Sequence, residues 1–332
     1  MSEALPDLLL RYLRGRLGGE VAFAAPPTPL SGGFDTTILA FRLKDAPAPF
    51  DGDLILRWMT GVGRPDQVRR ETATHGALVA AGFTAPRVLA SEPEGSVLGA
   101  PFLIMERLPG RNMVASVKQT PLRFFRLLRE LALVHAQMHR VPGEALLASA
   151  REHGLDPALF TLVGELDRLT RRIERAGLHG LLEAMAWMQR HRPAPAAPEV
   201  VCHGDCHPFN VVMAEGRPSG VVDWSQAIAA EPAFDVAATR VVLEFPSAGE
   251  PAWLRWPVAA VRGMAARRYL GFYRAEAKLD MRNMDYFEAF RILAGLIFAG
   301  ERTGPGNPWR APHVLPRICR RFEVLTGVGV RL

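Results

Sequence analysis

One short segment of the chain places an imidazole, a carboxylate and a carboxamide at close intervals. His203, Asp205 and Asn210 lie within eight residues, and Asp223 follows thirteen positions after Asn210, at the end of an apolar run. Carboxylate and carboxamide oxygens are the hard ligands that Mg²⁺ prefers. A carboxylate can also orient a hydroxyl group and accept its proton. These residues therefore supply what transfer of a phosphoryl group requires: cation ligands, and a carboxylate beside the acceptor.

The spacing His-x-Asp-x-x-x-x-Asn is also that of the catalytic loop of protein kinases, where the Asp accepts the proton of the attacking hydroxyl and the Asn holds magnesium. By this interpretation Asp205 is the catalytic residue, and Asn210 and Asp223 are the metal ligands. The alternative is that Asp205 and Asn210 are turn residues that cap a helix. A third oxygen ligand at Asp223 favours the catalytic interpretation.

The elements that must position these residues differ between two parts of the chain. In the first third, residues 38–43, 54–59 and 101–107 are short apolar runs bounded by turn-forming residues, and a helical pattern spans 64–82. These runs predict a small sheet with one helix. From residue 121 onward, apolar side chains recur at intervals of three and four, the period of amphipathic helices. The second part is therefore predicted to be mostly helical.

The predicted sheet also carries residues suited to bind phosphate. Gly32 and Gly33 form a turn before Thr36, and the backbone N–H groups of such a turn can face phosphate oxygens. A plain hairpin turn is the alternative. Arg57 is the only cation on the next strand, and Glu71 on the following helix is placed to pair with it. An ordinary surface ion pair stays open as the other interpretation of these two residues.

With these segments in order, the chain resembles the aminoglycoside phosphotransferase and choline kinase-like family, whose members are relatives of the protein kinases. The resemblance covers about residues 25–245. Its segments are 30–37, 54–57, 70–71, 101–110, 203–210 and 222–224. It implies an α+β, two-lobed protein-kinase-like fold. A small, mainly antiparallel N-terminal lobe with one key helix would bind nucleotide (1–107), and a larger, mostly helical lobe would hold the catalytic loop and the acceptor-binding helices (108–332).

The resemblance further implies ATP and Mg²⁺ as cofactors and a small-molecule hydroxyl group as acceptor. Adenine would be hydrogen-bonded to the backbone at Glu106 and Leu108. Two magnesium ions would lie on Asn210 and Asp223, with Asp205 as the catalytic carboxylate.

Two further residues would support the catalytic loop, and two places depart from the family pattern. His203 would hold the loop from beneath, and Asp235 would accept hydrogen bonds from its backbone. Arg57 stands where most such kinases have lysine, and its forked guanidinium can bind phosphate through two hydrogen bonds. Residues 34–37 replace the family's usual Ser-Asn pair.

Three classes of protein are considered. The first is a kinase of a metabolite or antibiotic hydroxyl, and the second is a nucleotide-binding pseudokinase that acts as a scaffold without phosphotransfer. The third is a zinc-dependent protein, although no second ligand pair follows its cluster. The zinc ligands would be Cys202, His203, Cys206 and His207. His135 and His139, four apart on a helix, are interpreted as structural because no third ligand is evident.

The composition restricts the class of protein, its compartment and its partners. With 332 residues, 22% charged and 48% hydrophobic, the chain is globular rather than disordered. The longest apolar stretch, 292–299, is far below the roughly 20 residues that span a bilayer, and no signal peptide pattern precedes it. Three cysteines cannot form a disulfide framework, which favours a cytoplasmic protein. Because the basic residues are scattered, we expect no nucleic-acid partner, and no membrane or obligate protein partner is evident.

The charge is uneven along the chain. From residue 251 onward, fourteen Lys or Arg stand against six Asp or Glu. We expect the acceptor between the catalytic loop and residues 227–298, and a basic environment argues against a polycationic aminoglycoside there. Glu231, Glu244 and Glu250 leave a cationic acceptor possible.

Overall fold

The structure is a computed structural model that describes residues 4–30, 36–60, 64–119, 123–245, 252–304 and 307–332. Gly32 and Gly33, predicted to bind phosphate, lie outside the described residues. Within those ranges, no helix combines the length and the hydrophobicity needed to cross a membrane.

An antiparallel sheet of five strands forms the first part of the described structure. The strands are β1 (Ala22–Pro29), β2 (Thr36–Lys44), β3 (Asp53–Met59), β4 (Val88–Glu92) and β5 (Phe102–Glu106), in the spatial order β1-β2-β3-β5-β4. Side chains alternate between the two faces, as strand geometry requires. In β2, Phe41 and Leu43 are buried while Arg42 is exposed. The three apolar runs predicted as strands match β2, β3 and β5, so that prediction is confirmed.

The sheet is covered by a helix on each face. Helix α1 (Leu5–Leu17) places Leu9 and Leu13, one turn apart, in an apolar cluster with β3 and β5. On the other face, Val68 of helix α2 (Arg64–Ala80) packs with Leu103. Helix α2 confirms the predicted helix, and α1 is an additional one that the sequence analysis did not predict.

Nine α-helices make up most of the described remainder. They are α3 (Met113–Gln119), α4 (Phe124–Met138), α5 (Gly143–Glu152), α6 (Leu162–Arg175), α7 (Leu182–Arg190), α8 (Pro232–Glu244), α9 (Arg255–Glu276), α10 (Met284–Glu301) and α11 (Leu315–Thr326). Helices α4, α8, α9 and α10 share one apolar core. The predicted apolar stripe of α4 is buried at Leu128, Leu131 and Met138, whereas Phe125 is exposed.

Short strands within the helical part hold the segment predicted to be catalytic. They are β6 (Arg111–Asn112), β7 (Val200–Cys202), β8 (Val211–Ala214), β9 (Arg217–Val221) and β10 (Ile228–Ala230). Strand β7 pairs with β10, and β8 lies between β6 and β9. The loop between β7 and β8 therefore carries residues 203–210, which we term the catalytic loop. The predicted lobe boundary after residue 107 falls between β5 and β6.

Candidate active site

The catalytic loop is held from below by a buried carboxylate. Asp235, in the first turn of α8, has no exposed surface and accepts hydrogen bonds from the backbone N–H groups of His203 (2.6 Å) and Gly204 (2.7 Å). Gly204 has a left-handed φ of 79°. A Cβ atom at Gly204 would lie 2.5 Å from the carbonyl oxygen of Gln226, so the loop needs glycine at this point.

His203 joins the catalytic loop to the strand that leads to Asp223. Its Nε2 lies 3.0 Å from the carbonyl oxygen of Val222. Because a carbonyl can only accept, Nε2 carries the proton, and Nδ1 is then free to accept the N–H of Asp205 at 3.2 Å. The buried ring of His203 thus fixes the backbone of Asp205 and that of Val222 in one arrangement.

Asn210 and Asp223 are connected through the same backbone. The Nδ2–H of Asn210 donates to the backbone oxygen of Asp205 (2.9 Å), so its Oδ1 is not engaged in that bond and can face a cation. The N–H of Val222, next to Asp223, donates to the backbone oxygen of Asn210 (2.9 Å). Asp223 has a φ of 67°, a left-handed conformation that strains a residue with a side chain and that concentrates at functional sites.

Arg57, on strand β3 of the sheet, extends to the side chain of Asp223. Its Nη1 lies 2.9 Å from Glu71 Oε2, and its Nη2 lies 3.6 Å from Asp223 Oδ1. Burial would lower the pKa of Arg57, but the carboxylates of Glu71 and Asp223 outweigh it and raise the pKa above its usual value. The Arg57–Glu71 pair is buried, so its interpretation as an ordinary surface ion pair is wrong.

Asp205 lies between two potential cations. Its Oδ1 is 2.5 Å from Arg291 Nη2 on α10, and its Oδ2 is 3.5 Å from His207 Nε2. Burial raises the pKa of Asp205, yet the charges of Arg291 and His207 outweigh burial and hold the pKa well below its usual range. The carboxylate is therefore ionised at neutral pH.

The residues predicted to bind the nucleotide are less closely gathered. Thr36 is the first residue of β2 and pairs with Met59. Glu106 ends β5, and its backbone N–H donates to the carbonyl of Arg87 (3.0 Å). Leu108 follows in a loop and packs close to Gly220, where a Cβ would lie 2.7 Å from its Cδ1.

The structure does not support the predicted zinc alternative. The two cysteines and two histidines proposed as zinc ligands do not come together. Among the described residues, the one group of three His, Cys, Asp or Glu side chains whose ligand atoms lie within 4.8 Å of one another is His135, His139 and Asp235. Cys202 instead directs its thiol to the carbonyl of Ala230 (3.5 Å), and burial raises its pKa well above the usual value. Cys202 and Cys206 therefore behave as buried apolar side chains.

His135 and His139, interpreted from the sequence as structural, form a layer below Asp235 whose contacts with that carboxylate and with two tyrosines were not predicted. His139 Nε2 lies 3.3 Å from Asp235 Oδ2, and its Nδ1 lies 2.7 Å from the Tyr273 hydroxyl. His135 is placed likewise against Tyr269 (2.5 Å). Burial raises the pKa of Asp235, but the hydrogen bond from His139 and the nearby His135 outweigh it and hold the pKa at about 2. The unused signal is the match of this spacing on a second helix: His135 and His139, at the end of α4, are four apart, and so are Tyr269 and Tyr273 on α9.

A model of the phosphotransferase enzyme family matches residues 28–282 of the chain. The chain belongs to this family. The protein is therefore a phosphotransferase, which confirms the activity that the sequence resemblance implied. No curated protein matches its sequence significantly.

Solved structures share the fold of the phosphotransferase at low identity. The streptomycin–ATP ternary complex of APH(2″)-IIa is 14% identical, with a TM-score of 0.57, covering 97% of this chain and 99% of that one. The macrolide 2′-phosphotransferase MphH from Brachybacterium faecium is 18% identical (TM-score 0.53; 98% and 100% covered). An ethanolamine kinase from Plasmodium vivax is 12% identical (TM-score 0.55; 96% and 86% covered). The predicted kinase-like α+β fold is thereby confirmed.

Proposed function

We propose that this phosphotransferase moves the γ-phosphoryl group of ATP to a hydroxyl group of a small molecule. The observation that carries the proposal is the hydrogen-bonded frame in which Asp235 and His203 hold Asp205 and Asn210 next to Asp223. Family membership supports the reaction class. A shared fold with a streptomycin–ATP complex and an ethanolamine kinase supports ATP as donor and a hydroxyl compound as acceptor.

The residues present fit a magnesium ion. Asn210 and Asp223 offer a carboxamide and a carboxylate oxygen, which are hard donors, and the Asp223 side chain is about half exposed toward solvent. In the proposal these two residues hold Mg²⁺. When bound, the ion would neutralise the charge of the outer phosphates.

On the nucleotide side, Arg57 is proposed to hold phosphate oxygens. Glu71 fixes one edge of its guanidinium, which leaves other N–H donors for a ligand. In the same proposal the backbone at Glu106 and Leu108 binds adenine, and Thr36 lies beside the phosphates. Gly32 and Gly33, also predicted to bind phosphate, lie outside the described residues. We propose that the part of the chain up to residue 107 is the nucleotide-binding lobe, and that 108–332 holds the catalytic loop, the Asp223 segment and the acceptor-binding helices.

Asp205 would orient the acceptor hydroxyl and take its proton. Its depressed pKa makes it a weak base, which suits a loose transition state in which the phosphoryl group is largely detached before the hydroxyl proton leaves. Positioning then contributes more than basicity. His203 and Asp235 contribute by fixing the loop backbone rather than by touching the reacting atoms.

Replacement of Asp205 tests this proposal. We expect Asp205→Asn to lower kcat by about 10²- to 10⁴-fold, because the amide can no longer accept the proton. Affinity for Mg²⁺–ATP should change little, since the proposed metal and phosphate ligands remain. The assay is ADP formation across a library of hydroxyl compounds, with calorimetry for nucleotide binding.

The matched control is Asp167→Asn, the same chemical change at an exposed position of α6. This variant should keep wild-type turnover. Undiminished turnover in Asp205→Asn would rule out Asp205 as the proton acceptor.

A further inference from the structure

Arg291 is built into the wall of the acceptor side of the site. It lies in the middle of α10, its side chain is 12% exposed, and its guanidinium carbon is 5.7 Å from the ring centre of Trp309. Trp309 is buried against Gly295, one turn further along α10, where a Cβ would lie 2.3 Å from the indole. Glycine thus admits the indole, and the indole supports the guanidinium. Arg291 is therefore held where its Nη2 meets Asp205.

The positive charge of Arg291 has one carboxylate partner. Glu288, one turn earlier on α10, is already engaged by Arg321 (2.6 and 3.0 Å) and faces Arg240 at 3.9 Å. Within the described part of the chain, Asp205 is the carboxylate that pairs with Arg291. The surroundings of the reacting carboxylate are consequently cationic on the side of α10.

Much of the hydrogen-bonding capacity of Arg291 is unused. A guanidinium has five N–H donors in a planar fork, and here only Nη2 contacts Asp205. The Nε is buried and has no hydrogen-bond partner among the described residues. Such a fork matches the two oxygens of a carboxylate or phosphate. A molecule whose hydroxyl reaches Asp205 would place its neighbouring group beside the Nη groups of Arg291, since the buried Nε is closed to a ligand.

One of the three glutamates that could favour a cationic acceptor is already hydrogen-bonded within the protein. Glu231 is buried, and its carboxylate accepts the N–H of Ala196 (3.0 Å) and the side-chain amide of Asn283 (2.5 Å). It fixes the 192–199 loop and the start of α10 instead of facing a ligand. An ammonium group near Asp205 would also meet the like charge of Arg291 at short range.

We propose that Arg291 and Asp205 together form a subsite for an acceptor that carries an anionic oxygen group, carboxylate or phosphate, close to the hydroxyl that is phosphorylated. Asp205 takes the hydroxyl, and Arg291 takes the anionic group. This inference rests on the proposed kinase function and deepens it, because it names the class of acceptor. Arg291 is then a specificity-determining residue.

Matched three-carbon acceptors test the proposal. D-glycerate, glycerol and 3-amino-1,2-propanediol share a hydroxyl-bearing skeleton and differ in charge, and glycerol 3-phosphate provides the phosphate arm. We expect kcat/KM for one of the two anions to exceed that for glycerol by at least about tenfold, with the amine below glycerol. Phosphate gain is measured by mass spectrometry. Equal rates, a preference for the amine, or no binding of either anion in calorimetry would overturn the proposal.

Variants of Arg291 separate specificity from catalysis. Arg291→Gln changes the surroundings of Asp205 for every acceptor, but it should lower kcat/KM for the preferred anion at least about tenfold more than for glycerol, chiefly through KM, so that the preference for the anion is lost. Arg291→Lys keeps the charge without the fork, so part of the preference should return. The control is Arg320→Gln at an exposed position of α11. An unchanged charge preference in Arg291→Gln would refute the assignment.

The proposed kinase reaction and the proposed anion subsite would fail in different ways. If Arg291-dependent anion binding is found but no acceptor gains phosphate, the proposed kinase reaction fails and the anion subsite stands. If phosphate is transferred but neutral or cationic acceptors are preferred, the kinase reaction stands and the anion subsite fails.

Discussion

Gly204 shows how one residue fixes the geometry of the site. Its backbone N–H and that of His203 donate to Asp235, its φ of 79° is left-handed, and its missing side chain admits the carbonyl of Gln226. A side chain at this position meets two separate costs. The left-handed backbone strains any residue with a Cβ, and the close carbonyl oxygen cannot move without disturbing the segment after Asp223.

Replacement of Gly204 by alanine should therefore destabilise the protein more than the left-handed backbone strain alone would. We expect Gly204→Ala to lower the free energy of unfolding by about 2–4 kcal/mol, and to lower turnover as the loop shifts. The matched control is Gly216→Ala, which has nearly the same φ of 78° but no heavy atom within 4 Å of the added Cβ. It should cost about 1 kcal/mol. Equal losses in urea denaturation would show that the contact with Gln226 is unimportant.

At the scale of elements, helices α4 and α9 form the support beneath the catalytic loop. His135 of α4 and His139, directly after its last residue, meet two tyrosines of α9 in pairs under Asp235. These polar groups sit in an apolar core, where an unpaired polar group is costly, so the pairing fixes the relative positions of the helices. Through Asp235, that arrangement extends to the backbone of His203.

Burial of His135 predicts a pH dependence of stability. Burial lowers the pKa of His135 to about 3, although the charge of Asp235 partly opposes the shift. Below the unfolded value near 6.5, the unfolded chain binds a proton that the folded protein cannot, so this contribution to stability is lost as pH falls. His135→Gln should reduce the slope of unfolding free energy between about pH 6 and pH 4.5 by roughly 1.4 kcal/mol per pH unit.

Denaturation at several pH values measures this slope. The window lies above the pKa of about 2 of Asp235, so that carboxylate stays ionised throughout. His191→Gln, at an exposed position, is the control and should leave the slope unchanged. A slope in His135→Gln equal to that of the wild type would contradict the burial of a neutral imidazole.

Features set by a local sequence pattern could be predicted, whereas contacts between residues far apart in the chain could not. The catalytic loop was predictable because its eight residues are contiguous and their spacing is specific. The strand with Arg57 was predictable because its short apolar run is bounded by turn-forming residues. The contact of Arg291 with Asp205 spans 86 positions, and that of His135 with Tyr269 spans 134. Such pairs depend on how helices pack, which no local pattern specifies.

At the scale of the whole molecule, the sheet and the helical part meet at the proposed phosphate site. Arg57 comes from β3, anchored by Glu71 on α2, and Asp223 follows β9 in the helical part. Their 3.6 Å contact brings the two parts of the chain together at one point. The phosphotransferase family and the shared kinase-like fold fit this arrangement, in which nucleotide would bind between the sheet and the catalytic loop.

The most direct test is a crystal structure of the protein with Mg²⁺ and a non-hydrolysable ATP analogue. We predict metal ions bound to the oxygens of Asn210 and Asp223 at about 2.1 Å, with the γ-phosphate facing Asp205 and the outer phosphates on Arg57. A nucleotide bound elsewhere, or a metal ion held by neither Asn210 nor Asp223, would contradict this prediction.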